Sequence, residues 1–250
     1  MRLIAPVLLI LALSTPAMVL ATEAPQSDRS RAAMARVEPG LRAALAEAGL
    51  SWGAPVFLRI FKQEGDLEVW LESTPGDRFT LFKTYPVCAA SGTLGPKTRE
   101  GDGQAPEGFY VVPPGAMNPH SHFFLSFNLG FPNAHDRARG WTGSFLMVHG
   151  DCVSIGCYAM GKRVIPLGAD RNDPIAEIWT LMSAAFAAGQ PAVDVHAFPF
   201  RMTGAAMARH ADHPWAGFWA TLRPGYDRVE THGRPPGISM RDGRYEMQAE

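Results

Sequence analysis

The densest chemistry in this 250-residue sequence is a thiol placed eight residues after an imidazole, Cys157 after His149. The segment reads Phe145-Leu146-Met147-Val148-His149-Gly150-Asp151-Cys152-Val153-Ser154-Ile155-Gly156-Cys157-Tyr158. A thiol nucleophile needs a base close by and hydrogen-bond donors for the oxyanion that develops in acyl transfer. An apolar run ends at His149, and a short polar turn can fold Cys157 back towards it. Gly156 removes the side chain that would keep a substrate carbonyl away from the N–H groups beside Cys157. Cys152 is a second thiol in the same turn, but no glycine precedes it. The spacing alone fits equally a strand-end His capping a turn beside a buried thiol, and both readings stand at this point.

Other polar residues are weaker candidates. His120 and His122 form an H-x-H pair, with His135, Asp151 and Cys152 within sequence reach. The usual Cys-x-x-Cys and His-x-x-x-His spacings of metal sites are missing, so no metal and no other cofactor is expected. Lys97 and Arg163 are candidates to meet substrate carboxylates, Arg offering the better fork, against a reading as solvated charge. Tyr110 and Asn118 are candidates to line a groove, against core or loop packing. The six tryptophans are assigned mainly to the core.

The elements that must position these residues follow from periodicity. Val56, Leu58 and Ile60 alternate with Phe57, Arg59 and Phe61; Glu64-Gly65-Asp66 turns the chain; Leu67, Val69 and Leu71 then alternate with Glu68, Trp70 and Glu72. This predicts a β-hairpin. Residues 79–87, 108–112, 122–127, 144–149 and 193–198 are further strand candidates, and 91–108 is a loop rich in Gly, Pro and charge. Residues 31–50 are helical, with Pro39-Gly40 breaking them into two pieces. Asp173 is placed as an N-cap before Pro174, and Ile175, Ile178, Met182 and Phe186 form a helical stripe ended by Gly189 and Pro191. Residues 214–222 form a short helix, 22–30 a polar linker and 231–250 a loose polar tail. The whole is read as a β-rich α+β domain.

Composition bounds the function. With 46% hydrophobic and 19% charged residues the chain is globular rather than disordered, collagenous or coiled-coil. A formal net charge of -1 lacks the basic excess of a nucleic-acid binder, so no nucleic-acid partner is expected. Met1-Arg2, an apolar run from Leu3 to Leu13 and small residues at Val19 and Ala21 read as a signal peptide cut after Ala21. No later stretch reaches membrane-spanning length, so no stable span is expected after cleavage. Three cysteines in an exported chain leave at least one unpaired. Cys88 bonded to Cys152 with Cys157 free is one solution, and three free thiols is the other.

The His149-Gly150 and Ser154-Ile155-Gly156-Cys157 elements resemble the L,D-transpeptidase (YkuD-type) catalytic domain, where a His-Gly precedes a Ser/Thr-His-Gly-Cys element. Two departures stand out: the gap from His to Cys is short, and Ile155 replaces the His before Gly-Cys. Both are similar to the YafK-type murein L,D-transpeptidase-like branch. That branch is also resembled by 83–88 (Lys-Thr-Tyr-Pro-Val-Cys), 91–97, 101–108, Met117-Asn118-Pro119, Ser126-Phe127-Asn128, 131–137 and 198–203. The resemblance implies a mostly β L,D-transpeptidase-like sandwich with flanking helices. It divides the chain into a signal peptide (1–21), a linker and N-terminal helical segment (22–50), a catalytic domain (51–205) and a C-terminal helical extension with a polar tail (206–250).

Carried over by position, the resemblance makes Cys157 the nucleophile and His149 the general base. Gly156 and Cys157 would supply oxyanion N–H groups, and Ser154 would support the turn or a substrate hydrogen bond. It implies acyl transfer on peptidoglycan stem peptides at meso-diaminopimelate, through a thioester, in the periplasm. An amine or water then resolves the thioester. The branch favours hydrolytic release of an outer-membrane lipoprotein from peptidoglycan. Cross-linking, or attachment of protein, by an L,D-transpeptidase is the alternative outcome. A non-catalytic peptidoglycan-binding module is the alternative of another class. A sortase-like or papain-like hydrolase would need an Arg or Asn partner in another chain order, which Arg163 and Asn172 do not compel.

Overall fold

The structure is a computed structural model and describes residues 23–74, 76–165 and 169–248. The expected signal peptide lies outside the described residues. The strands are β1 (Val56–Phe61), β2 (Asp66–Glu72), β3 (Phe79–Pro86), β4 (Ala89–Ala90), β5 (Gly108–Val112), β6 (Met117–Asn118), β7 (Ser126–Asn128), β8 (Met147–His149), β9 (Tyr158–Ala159), β10 (Val193–Phe198), β11 (Ile238–Arg241) and β12 (Arg244–Met247). The helices are α1 (Asp28–Glu47), α2 (Ala134–Ala138), α3 (Asp173–Ala187), α4 (Gly204–Arg209) and α5 (Ala216–His232).

All six residues of β1 are buried although the sequence alternates, because both faces of its sheet are covered. Val56, Leu58 and Ile60 join the core formed with α1 and α3. Phe61 faces the opposite way, with Phe198, Trp219, Leu222 and Tyr226 beneath α5. This first sheet has the order β3-β2-β1-β10-β5. The predicted hairpin is its β1–β2 pair, antiparallel from Val56 opposite Leu71 to Phe61 opposite Asp66. A second sheet, β4-β9-β8-β7-β6, is built from strands of two or three residues, and β11–β12 form a separate hairpin. The fold is therefore α+β.

Several elements differ from their sequence-based expectation. α1 starts at Asp28, inside the expected linker, behind a Ser27–Ser30 capping box, and runs unbroken through Pro39. Its buried stripe Ala33, Val37, Leu41 and Leu45 packs on α3 on both sides of the proline. That tertiary contact outweighs the hydrogen bond a proline removes. The N-cap of α3 is Asn172 rather than Asp173, whose carboxylate instead accepts from Arg36, Lys162 and the Asp170 N–H. α5 continues to His232, with Phe218, Trp219, Leu222, Tyr226 and Val229 on its buried side, and stops at Gly233 in the left-handed conformation. The expected loose tail forms β11 and β12, anchored where Tyr245 stacks on His135 at 4.4 Å. The strand candidates at 122–127 and 144–149 shrink to β7 and β8. Phe124 (φ 72°) and Phe145 (φ 55°) hold the left-handed backbone just before them, which no ladder accommodates.

Candidate active site

The second sheet sorts its residues into two rows. Met117, Phe127, Val148 and Tyr158 stand side by side across β6, β7, β8 and β9, and all four are core residues. The next row is Asn118, Ser126, His149 and Ala159. Because successive side chains alternate faces, this second row points away from the core. Asn118, Ser126 and His149 line a cleft of about 670 Å³. Cys157 immediately precedes β9, on the same face as His149 and level with Met147. The Met147 N–H donates to its Sγ at 3.4 Å, and the Sγ–H points to the Phe145 carbonyl at 3.7 Å.

β8 and β9 run parallel, yet only residues 150–157 join them. Parallel pairs ordinarily need a crossover of a dozen or more residues. Two- and three-residue strands shorten the return path, and side chains hold the loop. Asn172, the N-cap of α3, accepts the Asp151 N–H at 2.7 Å. Gly150 passes so close to Phe123 and Asn172 that a Cβ there would lie 2.6 Å from the Phe123 carbonyl oxygen. Cys152 is disulfide-bonded to Cys88, with a Cα–Cα distance of 5.3 Å, and Cys157 is the free thiol. Reducing this bond, which closes a 64-residue separation, is expected to lower stability by about 4 kcal/mol on the loop-entropy scale. Urea unfolding with and without a phosphine reductant, in a Cys157→Ala background, measures it. An unchanged midpoint would show that the bond adds nothing.

His149 is buried against Phe123, ring centroids 4.6 Å apart. Its Nδ1 lies 2.5 Å from the Gly150 carbonyl. A carbonyl can only accept, so Nδ1 carries the proton and Nε2 presents a lone pair. Burial lowers the pKa of His149, opposed by the Gly150 bond and the charge of Asp151. Burial raises the pKa of the Cys157 thiol, opposed by the Met147 N–H and the charge of Lys97. The resting pair at neutral pH is therefore thiol and neutral imidazole, not thiolate and imidazolium. Alkylation of Cys157 by iodoacetamide is expected to rise about tenfold per pH unit and still be climbing at pH 8.5. A plateau reached below pH 7 would contradict this charge state.

Ser154 ties down the turn that leads to Cys157, one of the two roles the resemblance implies for it. Its Oγ accepts the N–H groups of Gly156 (3.2 Å) and Cys157 (3.0 Å) and donates to the Cys157 carbonyl at 2.6 Å. The two N–H groups expected to form an oxyanion hole are thus both bonded to the Ser154 hydroxyl, which holds the turn. A local side-chain bond has taken backbone donors that spacing left nominally free. Gly156 is needed for its backbone, at φ 144°.

The remaining candidates separate. Lys97 lines the cleft but is buried, donating to Asp102 at 2.7 Å and to the Arg99 carbonyl at 3.0 Å. Burial of Asp102 is outweighed by Lys97 and by the N–H groups of Arg99, Thr98 and Gln104, which bring its carboxyl down to about 2. These bonds order the 91–108 loop along one side of the cleft. Asn118 lines the cleft, its Oδ1 accepting the His120 N–H at 3.0 Å, and His120 and His122 line it too. Tyr110 does not. It is a core residue of β5 that donates to Glu107 and Asp136, because its strand turns this face inwards. Arg163 is also outside the cleft, donating to the Cys88 carbonyl at 3.1 Å. Among the described residues, no tryptophan lines the cleft, and no group of three or more His, Cys, Asp or Glu side chains is arranged for a metal ion. Phe123, Ser126 and Phe145 are cleft residues that sequence reasoning missed; Ser126 sits on a strand too short to show a period, and Phe123 and Phe145 lie in the segments just before β7 and β8.

Fold and cleft together define an α+β protein that presents a free thiol and a buried imidazole on one face of a short-stranded sheet. No protein-family model matches the chain. A protein of Escherichia coli (strain K12) named "Putative L,D-transpeptidase YafK" is 45% identical over 193 residues, 77% of this chain and 74% of that protein. The protein of that name from Escherichia coli O157:H7 matches to the same extent. Among solved structures, the helical cell shape determining protein Pgp2 from Campylobacter jejuni is similar at 16% identity and a TM-score of 0.42, over 81% of this chain and 80% of that one. Bdellovibrio bacteriovorus Bd1075 is similar at 19% identity and a TM-score of 0.38, over 72% and 61% of the two chains. The chain belongs to the L,D-transpeptidase family, in its YafK-like branch.

Proposed function

We propose that this protein is a periplasmic cysteine acyltransferase that acts on peptidoglycan stem peptides at meso-diaminopimelate. The observation that carries the reading is the His149 Nδ1–Gly150 bond, which leaves Nε2 as a base in the cleft that Cys157 also lines. His149 takes the thiol proton as Sγ attacks the diaminopimelate carbonyl. The carbon–nitrogen bond breaks, the leaving amine takes that proton, and a thioester remains on Cys157. Because burial holds both groups neutral at rest, deprotonation accompanies attack rather than preceding it.

For the second half-reaction we favour water, with the diaminopimelate stem as the acyl donor and an attached outer-membrane lipoprotein as the leaving amine. An open, solvated rim at Ile155 (91% exposed) and Phe145 (76%) supports that choice. Incubating the protein and its Cys157→Ala variant with sacculi that carry the bound lipoprotein, and with sacculi stripped of it, tests the reading by mass spectrometry of released products. Free lipoprotein from the unmodified protein alone is the expected result. New diaminopimelate cross-links or amine-exchanged stems would make it a transpeptidase. No change in either preparation would overturn the enzymatic reading in favour of a peptidoglycan-binding module.

A further inference from the structure

His149 has two neighbours on the cleft face of the sheet. Towards β9 the in-register neighbour is Ala159, with Cys157 two residues earlier on the same face. On the other side stand Ser126 of β7 and Asn118 of β6, in register with His149 and with each other. Cross-strand partners in such a register have Cβ atoms about 4.5–5.5 Å apart. The base thus has the thiol diagonally across on the β9 side and the Ser126 hydroxyl directly beside it on the other, with Asn118 one strand further out.

Ser126 is unusual within this row. It is 1% exposed, and among the described residues its Oγ has no hydrogen-bond partner, although it forms part of the cleft wall. A buried hydroxyl without a partner is unfavourable. Its neighbour Asn118 uses Oδ1 to hold the His120 N–H, and the carboxamide NH₂ remains. Ser126 and Asn118 thus line the same stretch of cleft, on the β7 side of the base and away from β9.

We propose that Ser126, assisted by Asn118, is the positioning site for the nucleophile that resolves the thioester. The proposal rests on the acyl-transfer reading above and assigns a place to its second half-reaction. The nucleophile is a small group with a lone pair and at least two hydrogens, an amine or water. One of its hydrogens is held by Ser126 Oγ and a second faces His149 Nε2, which aims its lone pair towards the thioester carbonyl. The nitrogen or oxygen bonds to that carbon as its proton passes to Nε2, the carbon–sulfur bond breaks, and the departing thiolate recovers the proton from His149. The products are an amide or a carboxylic acid and the free thiol.

Acyl-enzyme kinetics test this, because acylation uses Cys157 and His149 while resolution alone uses Ser126. The full-length mature protein is mixed with diaminopimelate-containing muropeptides, and the Cys157 adduct is followed by quenched intact-mass spectrometry, with and without added glycine amide as the amine. For Ser126→Ala the expected result is acylation within about threefold of the unmodified protein and resolution slowed about tenfold or more, so that the thioester accumulates. Asn118→Ala, at a more exposed position, is expected to shift the same ratio less. Slowing confined to the amine arm would assign the site to an amine, and slowing in both arms to water as well. Equal slowing of both half-reactions, or no change in either, would overturn the proposal while leaving the acyl-transfer reading in place. Failure of the unmodified protein to form any Cys157 adduct would overturn both.

Discussion

Replacing Cys157 with Ala is expected to lower turnover on peptidoglycan by about 10⁵–10⁶-fold, the scale on which loss of a nucleophile leaves only substrate positioning. The side chain is only partly buried, and its bonds are single contacts to Met147 and Phe145. The fold loses little with it, and urea unfolding should move by no more than about 1 kcal/mol. The disulfide between Cys88 and Cys152 removes both other thiols from competition, so no second cysteine can rescue the variant. Turnover retained within tenfold would place the nucleophile elsewhere.

His149→Ala is expected to cost about 10²–10⁴-fold at pH 7, the usual contribution of a positioned base. The pH dependence should make the role specific. Only neutral imidazole can accept the thiol proton. Since burial holds His149 below its ordinary value near 6.5, the acid limb of kcat/KM for the unmodified protein should lie below pH 6.5. The variant has no base, so its residual rate should climb with pH as hydroxide forms the thiolate, and the deficit should narrow above the raised pKa of Cys157. His149→Gln, which keeps most of the volume packed on Phe123, should show the same loss. A deficit below tenfold, or one constant with pH, would assign the proton transfer to another group.

Much of the scaffold was legible in the sequence because long elements carry their own period. The β1–β2 alternation, the α3 stripe and β10 at 193–198 are each long enough to show a face. The continuous α1 was not, because Pro39 is a strong local signal and the packing of Leu41 and Leu45 on α3 is a distant one. The hairpin that replaces the expected tail was hidden for the same reason. Its anchor is Tyr245 on His135, two residues about a hundred positions apart.

At the site, the His–Cys segment was visible because both groups lie in one short stretch. Their surroundings were not. Ser126 meets His149 only through the register of β7 on β8, and strands of three residues have too few side chains to announce a face. Tyr110 and Arg163 show the opposite error, since suitable chemistry on the wrong side of a strand, or bonded to Cys88, takes no part in the cleft. The Gly156 and Cys157 N–H groups were counted as free donors because spacing does not reveal that the Ser154 hydroxyl turns back onto them.

The most direct test of the central claim is the covalent intermediate itself. The protein is mixed with a diaminopimelate-containing muropeptide, acid-quenched within seconds and digested, and the modified residue is read by tandem mass spectrometry. The expected result is a thioester on Cys157 carrying the stem peptide up to diaminopimelate, released by hydroxylamine and absent from Cys157→Ala. An adduct on any other residue, or product formation with Cys157 blocked beforehand by alkylation, would contradict the account.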